Sequence, residues 1–409
     1  RCMYTSLLLL LAGSGSDSAL DANTTERIGP SSRVLPRCNV HVFEPVHKTS
    51  TKSRQGGSTE SQYDVFSRIA PRVNSTPRSS ADWILFGSDL TFRDAHRHPA
   101  IRELIELAAN STVPIVASSF FIHTRVPHLR RRSVYIFSEM ETRSEQILVP
   151  FALTVGSKLD GLAPPTAWEN RRTALFVGHV PQLWISTTRW RIWRQLYNRS
   201  DATVASPDVW TLGIGLECAR NGTWQEHCTG LHGPVNMSCD LKPRSATRCR
   251  AVLREPGFLR DFVAAGGAVV PSKLGRDAYL RAGLDHKFCI VAAGDYPNTG
   301  KYIEAIIFAS RGGCVPVFIG VSPRSLAFGS VIDYRRVALW SGVSSLGSNL
   351  DLWRRWSAEQ VRPMMEYART VGKLLDYDAE GAEQALREVC RRVRIGRGPE
   401  PAMGGRVYG

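Results

Sequence analysis

The sequence contains no stretch of roughly 18 uninterrupted apolar residues, the length a helix needs to cross a bilayer, which excludes a chain that threads a membrane repeatedly. It also lacks G-x-G-x-x-G and G-x-x-x-x-G-K-[ST], which argues against a dinucleotide dehydrogenase and a P-loop NTPase. No C-x-x-C pair occurs, so the commonest zinc-ligand spacing is absent. Acidic residues are scarce beside basic ones, 37 against 52, leaving a net charge of +15. Such a surplus suits a negatively charged partner: nucleic acid, an anionic membrane surface, a polyanionic glycan or a phosphorylated substrate. What is present in ordinary amount is apolar residues, 43% against 22% charged, which excludes wholesale disorder.

Leu7–Ala12 is apolar and is followed by the small residues Gly13, Ser14, Gly15 and Ser16. Residues 1–16 therefore read as a signal peptide or the remnant of a signal anchor, and a membrane anchor is expected at this end. Residues 17–37 are polar and turn-rich, with Gly29-Pro30-Ser31-Ser32, and read as a stem. Asn-x-Ser/Thr acceptors at Asn23, Asn74, Asn110, Asn198, Asn221 and Asn236 favour a chain that enters the secretory pathway. Nine cysteines fit the same compartment, and Cys218, Cys228, Cys239 and Cys249 fall at near-equal spacing in one Gly/Pro/Asn-rich stretch. Disulfides are the first reading there. His227 and His232 make a zinc site the competing one, which the intervening sequons disfavour.

A length of 409 residues suits two domains. Asn39–Phe43 alternates like a strand, Ala81–Phe86 is a short apolar run, and a helical pattern follows from Pro99 through Ile101, Leu104, Ile105 and Ala108. Pro114–Ala117, Ser133–Phe137 and Ile147–Pro150 read as further strands, so residues 38–170 are expected to form a parallel sheet with helical crossovers. Thr173–Gly178 opens a second alternating series over 171–350. Within it, Arg189-Trp190-Arg191-Ile192-Trp193-Arg194 has the look of a basic aromatic patch, but helical spacing turns Trp190, Trp193 and Leu196 toward a core and leaves the arginines solvated. Residues 351–395 form a helical tail with a break allowed near Pro363. Its Asp376-Tyr377-Asp378 has the Asp-x-Asp form that some sugar transferases use to hold a divalent ion; in a polar helical tail it reads as solvated surface carboxylates.

The most informative stretch runs from Leu284 to Phe328. Lys287–Ala293 has a buried-strand pattern, Gly294–Gly300 a tight loop, Lys301–Ile307 helical spacing, and Cys314–Ile319 a second strand. In such a unit, the loop after the strand and the first helical turn form an anion site of free amides at the positive helix end. Lys301 adds a charge there, Glu304 is spaced to accept hydrogen bonds from ribose hydroxyls, and Gly294 and Gly300 permit close backbone approach. A structural crossover that binds nothing has the same pattern.

Lys287-Phe288-Cys289, Gly294-Asp295, Pro297, Gly300-Lys301, Glu304-Ala305 and Gly313-Cys314-Val315-Pro316-Val317 together resemble the signature of the exostosin-like glycosyltransferases, glycosyltransferase family 47. Leu326-Ala327-Phe328 and Val331-Ile332-Asp333-Tyr334 resemble the segment that follows it. Ala81–Phe86, Val149-Pro150 and Arg171–Gly178 fall in the expected order. The resemblance implies a GT-B architecture, α/β, with two Rossmann-like domains facing a cleft: 38–170 for the acceptor and 171–350 for the nucleotide sugar. It further implies a Golgi or endoplasmic reticulum membrane protein with a lumenal catalytic domain, an inverting transfer from a nucleoside diphosphate sugar, UDP-linked, to a glycan hydroxyl without a metal, and assembly with other glycosyltransferases.

Carried over, Gly294, Asp295, Gly300, Lys301 and Glu304 are donor-site positions, and Cys289 with Cys314 match the family's paired cysteines. Arg276 is a second candidate for charge on the departing diphosphate, and Asp295, then Asp89 or Asp94, are candidates for the base. Two departures stand out: Lys301 replaces the family's usual Arg, and the spacing from Glu304 to Cys314 is about one helical turn longer, which either lengthens the helix or bulges its end. The rival readings are a glycan-binding protein without activity and a binder of polyanions. Nucleic acid is disfavoured by the sequons.

Overall fold

A computed structural model describes residues 38–46, 65–89, 99–118, 134–138, 146–150, 155–178, 188–197, 199–205, 274–293 and 299–395. Strands β1 (Val40–Phe43), β2 (Trp83–Asp89), β3 (Ile115–Ser118), β4 (Val134–Ser138) and β5 (Gln146–Leu148) pair in parallel in sequence order. Side chains alternate across the sheet. On one face Ile84 and Phe86 pack against Ala100, Ile101, Leu104 and Leu107 of α2 (Pro99–Ala109). On the other, Trp83 and Leu85 join a cluster with Val65 and Ile69 of α1 (Val65–Ile69). Burial of both faces explains why these strands read as unbroken apolar runs.

The second sheet comprises β6 (Arg172–Val177), β7 (Ala202–Ala205), β8 (His286–Ala292), β9 (Val315–Ile319) and β10 (Leu339–Trp340), all parallel, in the order β7-β6-β8-β9-β10. The chain steps from β6 outward to β7, then comes back to lay β8 on the other side of β6 and builds outward from there. That reversal between β6 and β8 is a topological switch point, where ligands of open parallel sheets bind, outside the carboxyl ends of the strands.

Before β6 the chain makes a short helix, α3 (Gly156–Leu159). One face of the second sheet then packs on α4 (Thr188–Leu196) and α7 (Leu346–Trp353); the other packs on α5 (Arg276–Asp285), α6 (Lys301–Ser310) and α8 (Ala358–Leu375). In α4 the buried set is Ile192, Trp193 and Leu196, so Ile192 joins the expected pair; the side chain of Trp190 lies outside the described residues. Helix α6 runs without a bulge from Lys301 to Ser310. It ends with Gly312 at φ 78°, Gly312 N–H on Ala309 O at 3.0 Å and Gly313 N–H on Phe308 O at 2.8 Å, a Schellman stop that needs glycine at the left-handed position.

The C-terminal helices depart from expectation twice. Helix α8 runs through Pro363 unbroken, and the break comes instead at 376–380, before α9 (Gly381–Ile395). Asp376 is not a solvated carboxylate. It is 5% exposed, accepts the Gly156 N–H at 2.9 Å on one oxygen and the Asp378 N–H at 3.0 Å on the other, and burial pushes its carboxyl above the ordinary range. Asp378 in turn accepts from Ser157 Oγ at 2.7 Å. The Asp-x-Asp therefore ties the tail to α3. Helix α9 packs against α1 and β5, and Cys390 is joined to Cys38, 352 residues away, with Cα atoms 5.9 Å apart. No helix among the described residues is long and apolar enough to cross a membrane.

Removing Asp376 leaves a buried N–H of Gly156 without its acceptor, so Asp376→Ala is expected to lower unfolding free energy by about 1–3 kcal/mol, measured by urea denaturation. The pH trend has a definite sign. A folded-state pKa raised above the unfolded one gives a contribution present at low pH and lost as pH rises through the folded value. The stability of the wild type relative to Asp376→Asn should therefore decline from about pH 4 upward, and a rise would contradict the burial of this carboxyl.

Candidate functional site

Helix α5 passes into β8 with no intervening residue, and β8 delivers the chain to the switch point at Ala293. Gly294 and Asp295 lie outside the described residues; Thr299 and Gly300 re-enter them and open α6. In the first turn of α6, Tyr302 and Ile303 are buried, so Lys301 and Glu304, three residues apart, share the opposite face. Lys301 Nζ lies 2.6 Å from Glu304 Oε2.

A third residue completes the cluster. Tyr279, from the middle of α5, donates its hydroxyl to the same Glu304 Oε2, and Lys301 Nζ stands 4.1 Å from the centroid of the Tyr279 ring. Burial first, and then the Glu304 charge, raise the Tyr279 phenol well above its ordinary value, which keeps it a neutral donor. One carboxylate oxygen thus takes both a phenol and an ammonium, and Glu304 Oε1 has no partner among the described residues. An ammonium of one charge, a carboxylate oxygen open to hydroxyls, and a helix N-terminus at a switch point together suit a ligand with an anionic and a hydroxylated part. The motif pointed to Lys301 and Glu304. Tyr279 went unread because it belongs to the helix before the strand; its only sequence signal is a tyrosine on the half-buried face of a helix running into β8.

Other expected residues divide as follows. Arg276 is the exposed first residue of α5, one turn before Tyr279, and forms no hydrogen bond or ion pair with Lys301 or Glu304. Asp89 closes β2, its side chain outside the described set, as is all of Asp94. Cys289 and Cys314 are joined, with Cα atoms 5.4 Å apart, closing a loop that contains the whole of α6. Cys218, Cys228, Cys239 and Cys249, with His227 and His232, fall outside the described residues, as do Asn23, Asn198, Asn221 and Asn236. Asn74 and Asn110 are exposed. No group of three or more His, Cys, Asp or Glu is placed to hold a metal ion among the described residues.

The amino edge of the same sheet is built differently. Asp285 accepts from Thr166 N at 3.1 Å, Thr166 Oγ1 at 2.8 Å and Arg281 Nη2 at 2.6 Å, and Arg171 Nε donates to Thr166 O at 2.6 Å. His286 spends both ring nitrogens, on Ala282 O and Thr203 Oγ1, each at 2.8 Å, and burial lowers its pKa. These groups are fully engaged in holding the strands' entry points.

Against models of known protein families the sequence finds no match, and no curated protein matches it either.

If Tyr279 and Glu304 form one unit, Tyr279→Phe should cost about 1.5–3 kcal/mol of stability, the range for a hydrogen bond to a charged group. In a double-mutant cycle with Glu304→Gln the two losses should fall short of additivity by about 1 kcal/mol or more; additive losses would show that the pair does not interact.

Proposed function

We infer that this protein is a glycosyltransferase of GT-B type, with two Rossmann-like domains facing a cleft, that moves a sugar from a nucleoside diphosphate, UDP in the first instance, to a hydroxyl of a glycan. The observation that carries this reading is the position of the segment resembling the exostosin-like signature: it leaves the central strand at the switch point and opens the helix that bears Lys301 and Glu304. The first amides of α6 are taken up locally, Tyr302 N–H by Thr299 O and Ile303 N–H by Gly300 O, each at 3.1 Å, so in this reading the diphosphate meets the Lys301 ammonium and the positive end of the helix, and Glu304 receives ribose hydroxyls through its open oxygen.

For an inverting transfer, a base takes the proton of the acceptor hydroxyl while its oxygen bonds to the anomeric carbon opposite the diphosphate. The old bond from that carbon breaks with its electron pair, which leaves on a phosphate oxygen next to Lys301. Asp295, six positions before Lys301 in the loop, is the proposed base. The sequons and apolar N-terminus support a lumenal site in the Golgi or endoplasmic reticulum.

The test is a thermal-shift titration with UDP, combined with UDP release from a panel of UDP-sugars. UDP should raise the melting temperature, and Lys301→Ala should weaken UDP about 10- to 100-fold, with Lys301→Arg retaining most of the affinity. Absence of both a shift and UDP release would overturn the assignment. A shift without release from any donor would favour the glycan-binding reading.

A further inference from the structure

Beyond the Lys301–Glu304 cluster, the same edge of the sheet carries a second feature. The segment from Gly320 to Ala338 leaves β9 at its carboxyl end, where Ala293 N–H bonds Ile319 O at 3.0 Å, and so starts beside the point at which the chain leaves β8. It borders an open hollow of about 310 Å³ lined by Pro323, Gly329–Arg335 and Trp340.

Packing holds this segment in one shape. Leu326, Ala327, Phe328, Ile332 and Tyr334 are buried. Tyr334 donates to Ala327 O at 2.6 Å, and Ala327 N–H bonds Tyr302 Oη at 3.3 Å, which fastens the segment to the first turn of α6. Phe328 stands at φ 57°, a left-handed conformation rare for a bulky side chain, and its carbonyl takes the N–H groups of both Val331 and Ile332 at 2.8 Å. Strain of this kind persists only where surrounding structure enforces it, and it collects at ligand sites. Here the turn leaves Gly329, Ser330 and the apolar Val331 exposed on the rim of the hollow.

The lining selects a ligand class. Pro323, Val331 and Trp340 offer apolar and aromatic surface, whereas Asp333 and Arg335 offer a carboxylate acceptor and a guanidinium donor. Asp333 Oδ1 is occupied by the Arg335 N–H at 3.1 Å; its second oxygen and the Arg335 guanidinium have no partner among the described residues. One carboxylate and one guanidinium leave the wall without net charge, which favours a neutral ligand over a phosphate or a uronate. A hydroxylated ring with an apolar face satisfies both kinds of surface, and the volume, at the low end of the roughly 300–1,000 Å³ usual for ligand sites, suits one ring and not a chain of them. We propose that this hollow is a subsite for one neutral sugar residue, with Asp333 and Arg335 as its polar contacts. The proposal rests on the transferase reading for which sugar is meant: that of the donor, or the terminal residue of the acceptor.

The test uses the full chain and saturation-transfer NMR with free glucose, galactose, xylose, mannose and N-acetylglucosamine. At least one should bind, and Asp333→Asn and Arg335→Ala should each weaken it about fivefold or more while leaving the UDP-induced thermal shift unchanged. Asn can keep the bond to the Arg335 N–H, and Arg335 is exposed, so neither variant threatens the fold. Displacement of the bound sugar by a UDP-sugar but not by UDP assigns the hollow to the donor; no displacement assigns it to the acceptor. If UDP binds and no sugar does, or if both variants bind sugar like the wild type, the subsite is overturned and the transferase reading stands. If sugars bind as expected and UDP does not, the transferase reading fails and the subsite stands.

Discussion

Seven consecutive buried residues, His286–Ala292, pair in parallel with β6 on one side and β9 on the other, and the placement of every site residue follows from that pairing. Phe288 and Ile290 belong to the core facing α4 and α7, while Cys289 and Val291 belong to the core facing α6. A slip of one residue would exchange the two sets, exposing each to the wrong partner; burying a side chain of this size is worth about 1.5–3 kcal/mol, so the register is strongly enforced. The register in turn brings Cys289 within bonding reach of Cys314 and releases the chain at Ala293, whose N–H bonds Ile319 O at the end of β9. Both flanks of α6 are then fixed, its beginning by the end of β8 and its end by the Gly312 stop and the disulfide.

With that strand in place, the two edges of the sheet carry different chemistry. At the amino edge, Asp285, Arg281, Arg171 and His286 are consumed in contacts with one another and with the backbone. At the carboxyl edge, Lys301 and Glu304 hold each other and Tyr279 but keep an open carboxylate oxygen, and Arg324 and Arg336 are exposed on the segment that follows β9. Part of the surplus of 52 basic over 37 acidic residues is thus placed where an anionic ligand would approach the strands' ends.

Much of this arrangement was legible in the sequence. Strand segments such as Trp83–Ser88 and His286–Ala292 are buried on both faces, so they stand out as apolar runs whatever the partners are, and the helices between them declare a parallel sheet. The strand order was not legible, since nothing local says that β8 returns to the far side of β6. Tyr279 was hidden for a related reason: its tie to Glu304 is a contact across 25 residues, made only once α5 and α6 lie on one face of the sheet. The same holds for Cys38 and Cys390, and for Asp376, whose burial is set by the distant Gly156. Pro363 misled because proline removes a single helix bond, and the apolar face of α8, buried at Val361, Ala368, Val371 and Leu375, outweighs it.

The central claim is that the switch point of the second sheet binds a nucleoside diphosphate. Hydrogen-exchange mass spectrometry of the full chain, with and without saturating UDP, tests it most directly. The account predicts slowed exchange confined to peptides covering 293–306, and to those just after β6, with the first sheet unchanged. Slowed exchange elsewhere with 293–306 unaffected would contradict it.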